Sequence, residues 1–192
     1  MEKLPYLKID NFYNENELSM IWDELKFLTH SHKLELSNKT GQIDPTMKHN
    51  NGLFLDSVYA ERRFSNILKV NRKVFSANIM KQYADLHFMN TVIFNLNSDA
   101  TLLSYYENAG YYKSHSDTAV VTILTWLFKE PKQFEGGNLI FTDFKEEIKI
   151  TNNTVIMFPS HTKHEVTAIK MENKDKFSGN GRYCISQFMG IK

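Results

Sequence analysis

The chain has 192 residues, enough for one domain whose core needs neither disulfides nor structural zinc. Its 42% hydrophobic and 23% charged residues are typical of a globular protein and argue against disorder. The 23 basic side chains nearly balance the 22 acidic ones, so the chain lacks the excess positive charge that nucleic-acid binding usually requires. We therefore expect no nucleic-acid partner.

The sequence features that bear on localisation favour the cytoplasm. No apolar run reaches the roughly 20 residues that cross a bilayer, and residues 1–10 lack the apolar core of a signal peptide. Cys184 is the only cysteine, so no disulfide can form within the chain and a reducing compartment suits it. We expect a cytoplasmic protein without a membrane partner, and the sequence leaves its oligomeric state open.

The N-terminal half is predicted to be mainly helical. Asn14 followed by Glu17 matches a helix-capping box, and apolar residues then recur at helical spacing as far as Leu28. Residues 58–88 show a second apolar face at helical spacing. Between these segments, residues 37–52 mix Asn, Lys, Gly, Asp and Pro without hydrophobic periodicity. That composition predicts a long loop, which would be either disordered or a substrate lid.

The C-terminal half is predicted to consist of short strands separated by turns. Strands are expected at residues 102–106, 120–128, 138–141, 154–158, 165–169 and 183–189. Helices followed by a run of strands are typical of an α+β domain whose antiparallel sheets form a sandwich or jelly roll. We therefore expect a single domain over residues 1–192, with mainly helical support in residues 1–90 and a jelly-roll catalytic core in residues 91–192.

Several side chains of the second half could bind one metal ion. Residues i and i+2 of a strand share a face and lie roughly 6.6 Å apart, so His115 and Asp117 could reach the same ion. A third ligand could come from His161 or His164, which both follow Pro159 at the start of a late strand. Two histidines and one carboxylate leave three coordination positions open, an arrangement associated with Fe(II) oxygenases.

The sequence around these candidate ligands resembles that of a known family. Residues 106–117 are similar to the Tyr-x-x-x-Gly-x-Tyr-x-x-His-x-Asp signature of the prolyl 4-hydroxylase-like Fe(II)/2-oxoglutarate-dependent dioxygenases. The resemblance continues, in order, through residues 122–127, 134–139, 158–166 and 181–183, and so covers roughly the C-terminal half. It implies a double-stranded β-helix core, the jelly-roll or cupin-like fold of that family, with supporting N-terminal helices.

The resemblance also implies which residues form the metal centre. The family's iron ligands correspond to His115, Asp117 and His164 of this chain. Its spacing favours His164 over His161 as the third ligand, although chemistry alone leaves both open. These residues are therefore the expected metal ligands and the centre of catalysis.

Further residues are implied in binding 2-oxoglutarate. Arg182 corresponds to the basic residue that binds the far carboxylate, and a guanidinium can do this with two parallel charge-assisted hydrogen bonds. The stretch 170–180 makes the gap before Arg182 longer than is usual in the family. Tyr105 or Tyr106 is expected to touch the co-substrate. Trp126 is expected in the core or in the cavity wall, with a co-substrate contact as the alternative.

The implied reaction is hydroxylation of an aliphatic C–H bond by O2 and 2-oxoglutarate, with release of succinate and CO2 and with ascorbate as an assisting reductant. The expected substrate is a prolyl or other side chain of a protein or peptide. One alternative is a free amino acid or small metabolite, and another is a non-catalytic jelly-roll module that binds metal or 2-oxoglutarate. Demethylation of nucleic-acid bases is disfavoured, because that group usually carries a second arginine after the co-substrate one and residues 184–192 contain none.

Overall fold

Two antiparallel β-sheets form the frame of the protein in a computed structural model that describes residues 4–41, 44–172 and 175–192. The strands are β1 (Leu7–Ile9), β2 (Glu35–Leu36), β3 (Lys48–His49), β4 (Asn51–Phe54), β5 (Ser98–Tyr106), β6 (Tyr111–His115), β7 (Val121–Leu127), β8 (Leu139–Phe141), β9 (Glu146–Ile148), β10 (Thr154–Pro159), β11 (His164–Val166) and β12 (Arg182–Gly190). The larger sheet has the order β1-β10-β7-β12-β5-β4-β2, and the smaller has the order β3-β6-β11-β8-β9.

The central strands of the larger sheet are buried on both faces. Every residue of β7 is buried, and alternate residues enter two different cores. Val121 and Ile123 pack in a core shared with the helices, whereas Leu124 and Trp126 pack in a core shared with the smaller sheet. This alternation follows from the two-residue period of a strand. The second core, between the sheets, is where the cavity described below lies.

Helices pack on the outer face of the larger sheet. They are α1 (Glu15–His30), α2 (Leu55–Val58), α3 (Asn66–Val70) and α4 (Ala77–Ala84), with 3-10 helices at Ser37–Lys39, Arg62–Phe64, Asn71–Phe75 and Phe88–Asn95. The predicted capping box is present, because Asn14 accepts from the Glu17 backbone and Glu17 accepts from the Asn14 backbone. The predicted α+β class is therefore confirmed.

No described helix combines the length and the apolar character that crossing a bilayer requires.

Residues 58–88 are helical as predicted, but in short pieces. Ser65 and Ser76 precede α3 and α4 with extended backbone, and the Ser65 hydroxyl accepts from the Leu68 backbone N–H at 3.0 Å. Serine favours such caps because its hydroxyl competes with helical hydrogen bonding. The apolar spacing revealed the buried face and not these interruptions.

The loop predicted over residues 37–52 is wrong for half of its described part. Residues 37–39 form a 3-10 turn, β3 pairs with β6, and β4 pairs with β5, while residues 42 and 43 lie outside the described residues. Strands of two and four residues are too short to show hydrophobic periodicity. Their positions are set instead by pairing with strands that are distant in the chain. The N-terminal half thus adds strands to both sheets, and the lid role of this segment stays a prediction.

A buried carboxylate connects α1 to α3. Glu24 is 7% exposed, and its carboxylate accepts from the Ser65 hydroxyl at 2.7 Å and from the Ile67 backbone N–H at 2.8 Å. We expect Glu24→Ala to lower the free energy of unfolding by roughly 2–4 kcal/mol, because two buried donors lose a charged acceptor. Urea denaturation measures the change. Asp23→Ala, at the exposed neighbouring position, serves as the control, and equal effects of the two substitutions would contradict the role of Glu24.

Candidate metal centre and co-substrate site

Three side chains that could hold a metal ion converge between the sheets. Candidate ligand atoms of His115, Asp117 and His164 all lie within 4.8 Å of one another. Nε2 of His115 is 3.7 Å from one carboxylate oxygen of Asp117, and Nε2 of His164 is 3.6 Å from the other. Nitrogen and oxygen ligands bind metals at about 2.0–2.2 Å, so an ion placed between these atoms could contact all three residues.

Strand pairing places the two histidines side by side. His115 ends β6 and His164 begins β11, and the two residues are direct partners in the antiparallel ladder. Asp117 lies beyond the end of β6, so the expectation that it shares a strand with His115 is wrong. Its backbone N–H donates to the Ser160 carbonyl at 2.9 Å, and its carboxylate accepts from the Thr122 hydroxyl at 2.7 Å. Hydrogen bonds therefore orient Asp117.

Contacts to backbone carbonyls leave Nε2 of each histidine available to a metal ion. Nδ1 of His115 lies 2.8 Å from the Lys113 carbonyl, and Nδ1 of His164 lies 2.9 Å from the Thr162 carbonyl. A proton on each Nδ1 would donate to these carbonyls and leave Nε2 free as a ligand. Burial, with the neighbouring His164 acting in the same direction, lowers the pKa of His115 to about 3. His115 is thus uncharged at neutral pH, the form that binds metals.

A cavity of about 350 Å³ joins these residues to Arg182. Arg182 has no exposed surface, and none of its guanidinium nitrogens has a hydrogen-bond partner among the described residues. Its guanidinium carbon lies 4.9 Å from the ring centroid of Tyr106 and 6.0 Å from that of Trp126. Burying a cation without a partner is costly. The arrangement therefore favours an anionic ligand in the cavity.

Two glycines allow the backbone to approach Arg182 closely. A Cβ at Gly181 would lie 2.1 Å from the Tyr106 carbonyl oxygen, a distance that real side chains do not reach. Gly137 has a φ of +71°, and a Cβ there would lie 3.1 Å from Cδ of Arg182. The Gly136-Gly137 turn and Gly181 therefore shape the wall behind the guanidinium.

Comparison with known proteins relates these residues to a family. Residues 100–189 match the family model described as the 2OG-Fe(II) oxygenase superfamily, and that span contains all three candidate ligands and Arg182. The chain is therefore similar to that superfamily over residues 100–189. A PKHD-type hydroxylase of Acinetobacter baumannii is 32% identical, over a match that covers 35% of this chain and 36% of that relative's length. The predicted resemblance to the prolyl 4-hydroxylase-like Fe(II)/2-oxoglutarate-dependent dioxygenases is confirmed.

Solved structures share the fold of this chain. A prolyl-4-hydroxylase of Pseudomonas putida aligns with a TM-score of 0.68 at 14% identity, over 97% of this chain and 93% of the other. A prolyl hydroxylase of Trichoplax adhaerens, solved with a hypoxia inducible factor peptide fragment, aligns with a TM-score of 0.61 at 14% identity over 97% and 83% of the chains. The expected double-stranded β-helix core is thereby confirmed.

The two candidate tyrosines point to opposite faces of β5. Tyr106 lines the cavity beside Arg182, and burial raises its pKa, so its phenol stays protonated and can donate a hydrogen bond. Tyr105 lies in the helix-side core, stacks on Tyr183 at 4.5 Å between ring centroids, and accepts from the Gly181 backbone N–H. Trp126 is buried behind Arg182 and is not part of the cavity lining.

Sequence reasoning missed three residues of this site. Thr122 and Ser160 share a hydrogen bond of 2.8 Å between their hydroxyls, and both hold Asp117. Lys48 also lines the cavity, although it falls in the segment predicted as a loop. Thr122 and Ser160 lie in the motif segments of the sequence. Their role in orienting Asp117 could not be predicted, because it depends on Asp117 lying beyond the end of β6. No sequence signal pointed to Lys48.

Removal of a ligand tests the metal centre directly. We expect His164→Ala to weaken Fe(II) binding at least about 100-fold, since loss even of a residue that only orients a ligand costs 10–100-fold. Anaerobic calorimetric titration measures the affinity. His161→Ala is the matched control, because His161 is exposed and lies outside the cluster. Weakening by His161→Ala instead of His164→Ala would show that the third ligand is misassigned.

Proposed function

We propose that the chain is an Fe(II)- and 2-oxoglutarate-dependent dioxygenase that hydroxylates an aliphatic C–H bond and releases succinate and CO2. The observation that carries the proposal is one cavity holding a His/Asp/His cluster and a buried guanidinium without a partner. We further propose that residues 1–192 form a single dioxygenase domain. A cytoplasmic location is part of the proposal and is supported by the single buried thiol, Cys184.

The donor set fits Fe(II). His115 and His164 would each supply an imidazole nitrogen, and Asp117 would supply a carboxylate oxygen from the same side. Fe(II) bound there would supply the dioxygen chemistry. The chain's contribution is to hold the His115 imidazole neutral and to orient the Asp117 carboxylate through Thr122 and Ser160.

Arg182 would bind the far carboxylate of 2-oxoglutarate. A planar guanidinium pairs with a carboxylate through two parallel hydrogen bonds, and burial strengthens such a pair. Tyr106 would donate a further hydrogen bond beside it, because its phenol stays protonated. The apolar side chains of Leu124 and Val166, which also line the cavity, would exclude water from the co-substrate.

The substrate proposed first is a prolyl or other side chain of a protein or peptide. Support comes from the fold, since the structures described above are prolyl hydroxylases and one of them is bound to a peptide. The second candidate is a free amino acid or small metabolite, which the small size of the cavity favours. A non-catalytic binding module is the alternative from another class. It would bind metal and 2-oxoglutarate without producing succinate.

Uncoupled turnover of 2-oxoglutarate tests the enzyme class. With Fe(II), ascorbate and O2, the parent protein is expected to form succinate from 2-oxoglutarate, and His115→Ala is expected to abolish it because the metal loses a ligand. Mass spectrometry of succinate provides the measurement. His30→Ala, an exposed substitution on α1, should retain the parent rate. Succinate formation at equal rates in the parent and His115→Ala would remove the proposed function.

Arg182 can be tested separately from the metal. We expect Arg182→Met to raise the KM for 2-oxoglutarate at least about 30-fold, corresponding to roughly 2 kcal/mol or more for breaking a buried charge pair. Arg182→Lys should fall between this variant and the parent, since it keeps the charge and loses the second hydrogen bond. Steady-state succinate formation gives the KM. An unchanged KM in Arg182→Met would assign the far carboxylate to another residue.

A further inference from the structure

A second cation lies in the same cavity as Arg182. Lys48 is 2% exposed and lines the cavity together with the three candidate metal ligands. Its Nζ donates to the Thr40 carbonyl at 2.7 Å, and it forms no ion pair with a described carboxylate. An ammonium has three donors, so this contact leaves two of them for a ligand. A buried ammonium in this state is poised to bind an acceptor.

The two cations enter the cavity from different sheets. Lys48 belongs to β3, an edge of the smaller sheet, and its Nζ lies 5.2 Å from the ring centroid of Tyr112, which stacks on the His115 ring at 3.5 Å. Arg182 belongs to the larger sheet, and its ring neighbours are Tyr106 and Trp126. Lys48 therefore lies on the sheet opposite Arg182, on the side of the cavity that carries Tyr112 and His115.

Lys48 is charged at neutral pH despite its burial. Burial lowers its pKa to about 8, and the negative charge of Asp117 opposes that shift. An ammonium with a pKa of about 8 is mostly protonated at pH 7. The positive charge acts in turn on His115, whose pKa it helps to lower.

Charge balance indicates what the ammonium binds. When Asp117, Arg182 and Lys48 are counted with Fe(II) and the dianion of 2-oxoglutarate, the cavity keeps one positive charge. A single carboxylate would neutralise it, whereas a phosphate dianion would leave an excess of negative charge. Phe54, Leu102 and Phe188 line the same cavity and would contact the aliphatic part of such a molecule.

We propose that Lys48 binds a carboxylate of the substrate and so selects a molecule that carries this group near the carbon to be hydroxylated. The inference rests on the proposed function, because it assigns the substrate side of the same site. Three sources share this chemistry: a free amino acid, the C-terminal residue of a peptide, and an acidic side chain. The cavity of about 350 Å³ is at the small end of ligand pockets, roughly 300–1,000 Å³, and suits a compact group in each case.

Matched acids and amides test the inference by binding. The protein is loaded with Zn(II), which does not support turnover, and with 2-oxoglutarate. Three probe pairs are then titrated. The first two are L-proline with L-prolinamide and glycyl-L-proline with its C-terminal amide. The third is N-acetyl-L-glutamic acid α-amide with N-acetyl-L-glutamine α-amide, which differ only in the side-chain carboxylate. At least one acid is expected to bind about 10-fold or more tightly than its amide, the effect of a charge-assisted hydrogen bond. The pair that shows the preference identifies the source of the carboxylate.

Substitutions assign that preference to Lys48. Lys48→Met should bring the acid and amide affinities together, and Lys48→Arg should restore part of the difference. Lys39→Met, an exposed position in the neighbouring turn, should behave as the parent does. Thermal melting of each variant establishes that it is folded. If Lys48→Met does not fold, Lys48→Gln takes its place, because it is also neutral and can still donate to the Thr40 carbonyl.

Several results would overturn the inference. They are equal binding of acid and amide in all three pairs, an acid preference that survives in Lys48→Met, and a KM for 2-oxoglutarate that rises in Lys48→Met as it does in Arg182→Met. The last result would make Lys48 a co-substrate ligand. In each of these cases the parent still forms succinate in the uncoupled assay. Absence of succinate from the parent would instead remove the proposed function, and this inference with it.

Discussion

The chemistry of the site depends on charges that the protein buries without pairing them. Arg182 and Lys48 are almost fully removed from water, and neither forms an ion pair with a described carboxylate. The carboxylate of Asp117 is held by a hydroxyl and lies close to two imidazoles rather than to a cation. Isolated buried charges are costly, so the proposed metal cation and anionic ligands would stabilise the cavity.

The two-residue period of the strands determines which side chains reach that cavity. Along β5, Tyr105 packs under the helices and Tyr106 lines the cavity. Along β12, Arg182 points inward, and the adjacent Tyr183 enters the helix-side core, where its hydroxyl contacts Thr29 of α1 at 2.7 Å. A shift of one residue in the pairing of β5 with β12 would exchange these roles. The helix-side core therefore stabilises the register on which the site depends.

In the candidate metal centre, strand pairing positions the two histidines, whereas side-chain and loop hydrogen bonds position Asp117. His115 and His164 are neighbours in a ladder, so backbone hydrogen bonding sets their separation. Asp117 follows the end of its strand, and its orientation depends on Thr122 and Ser160 from the larger sheet. The centre thus forms only where the two sheets meet, which couples the proposed iron site to the packing of the inter-sheet core.

The sequence alone determined the α+β class, the capped first helix, and a set of motifs in which His115, Asp117, His164 and Arg182 could be named, because these depend on local spacing and residue chemistry. The remaining features depend on contacts made in the folded chain. Lys48 and Tyr112 become neighbours through pairing of β3 with β6, across more than 60 residues of chain. The different faces of Tyr105 and Tyr106, and the hydrogen bonds that orient Asp117, likewise depend on which strands pair. Contacts between residues far apart in the chain leave no periodic signal in it.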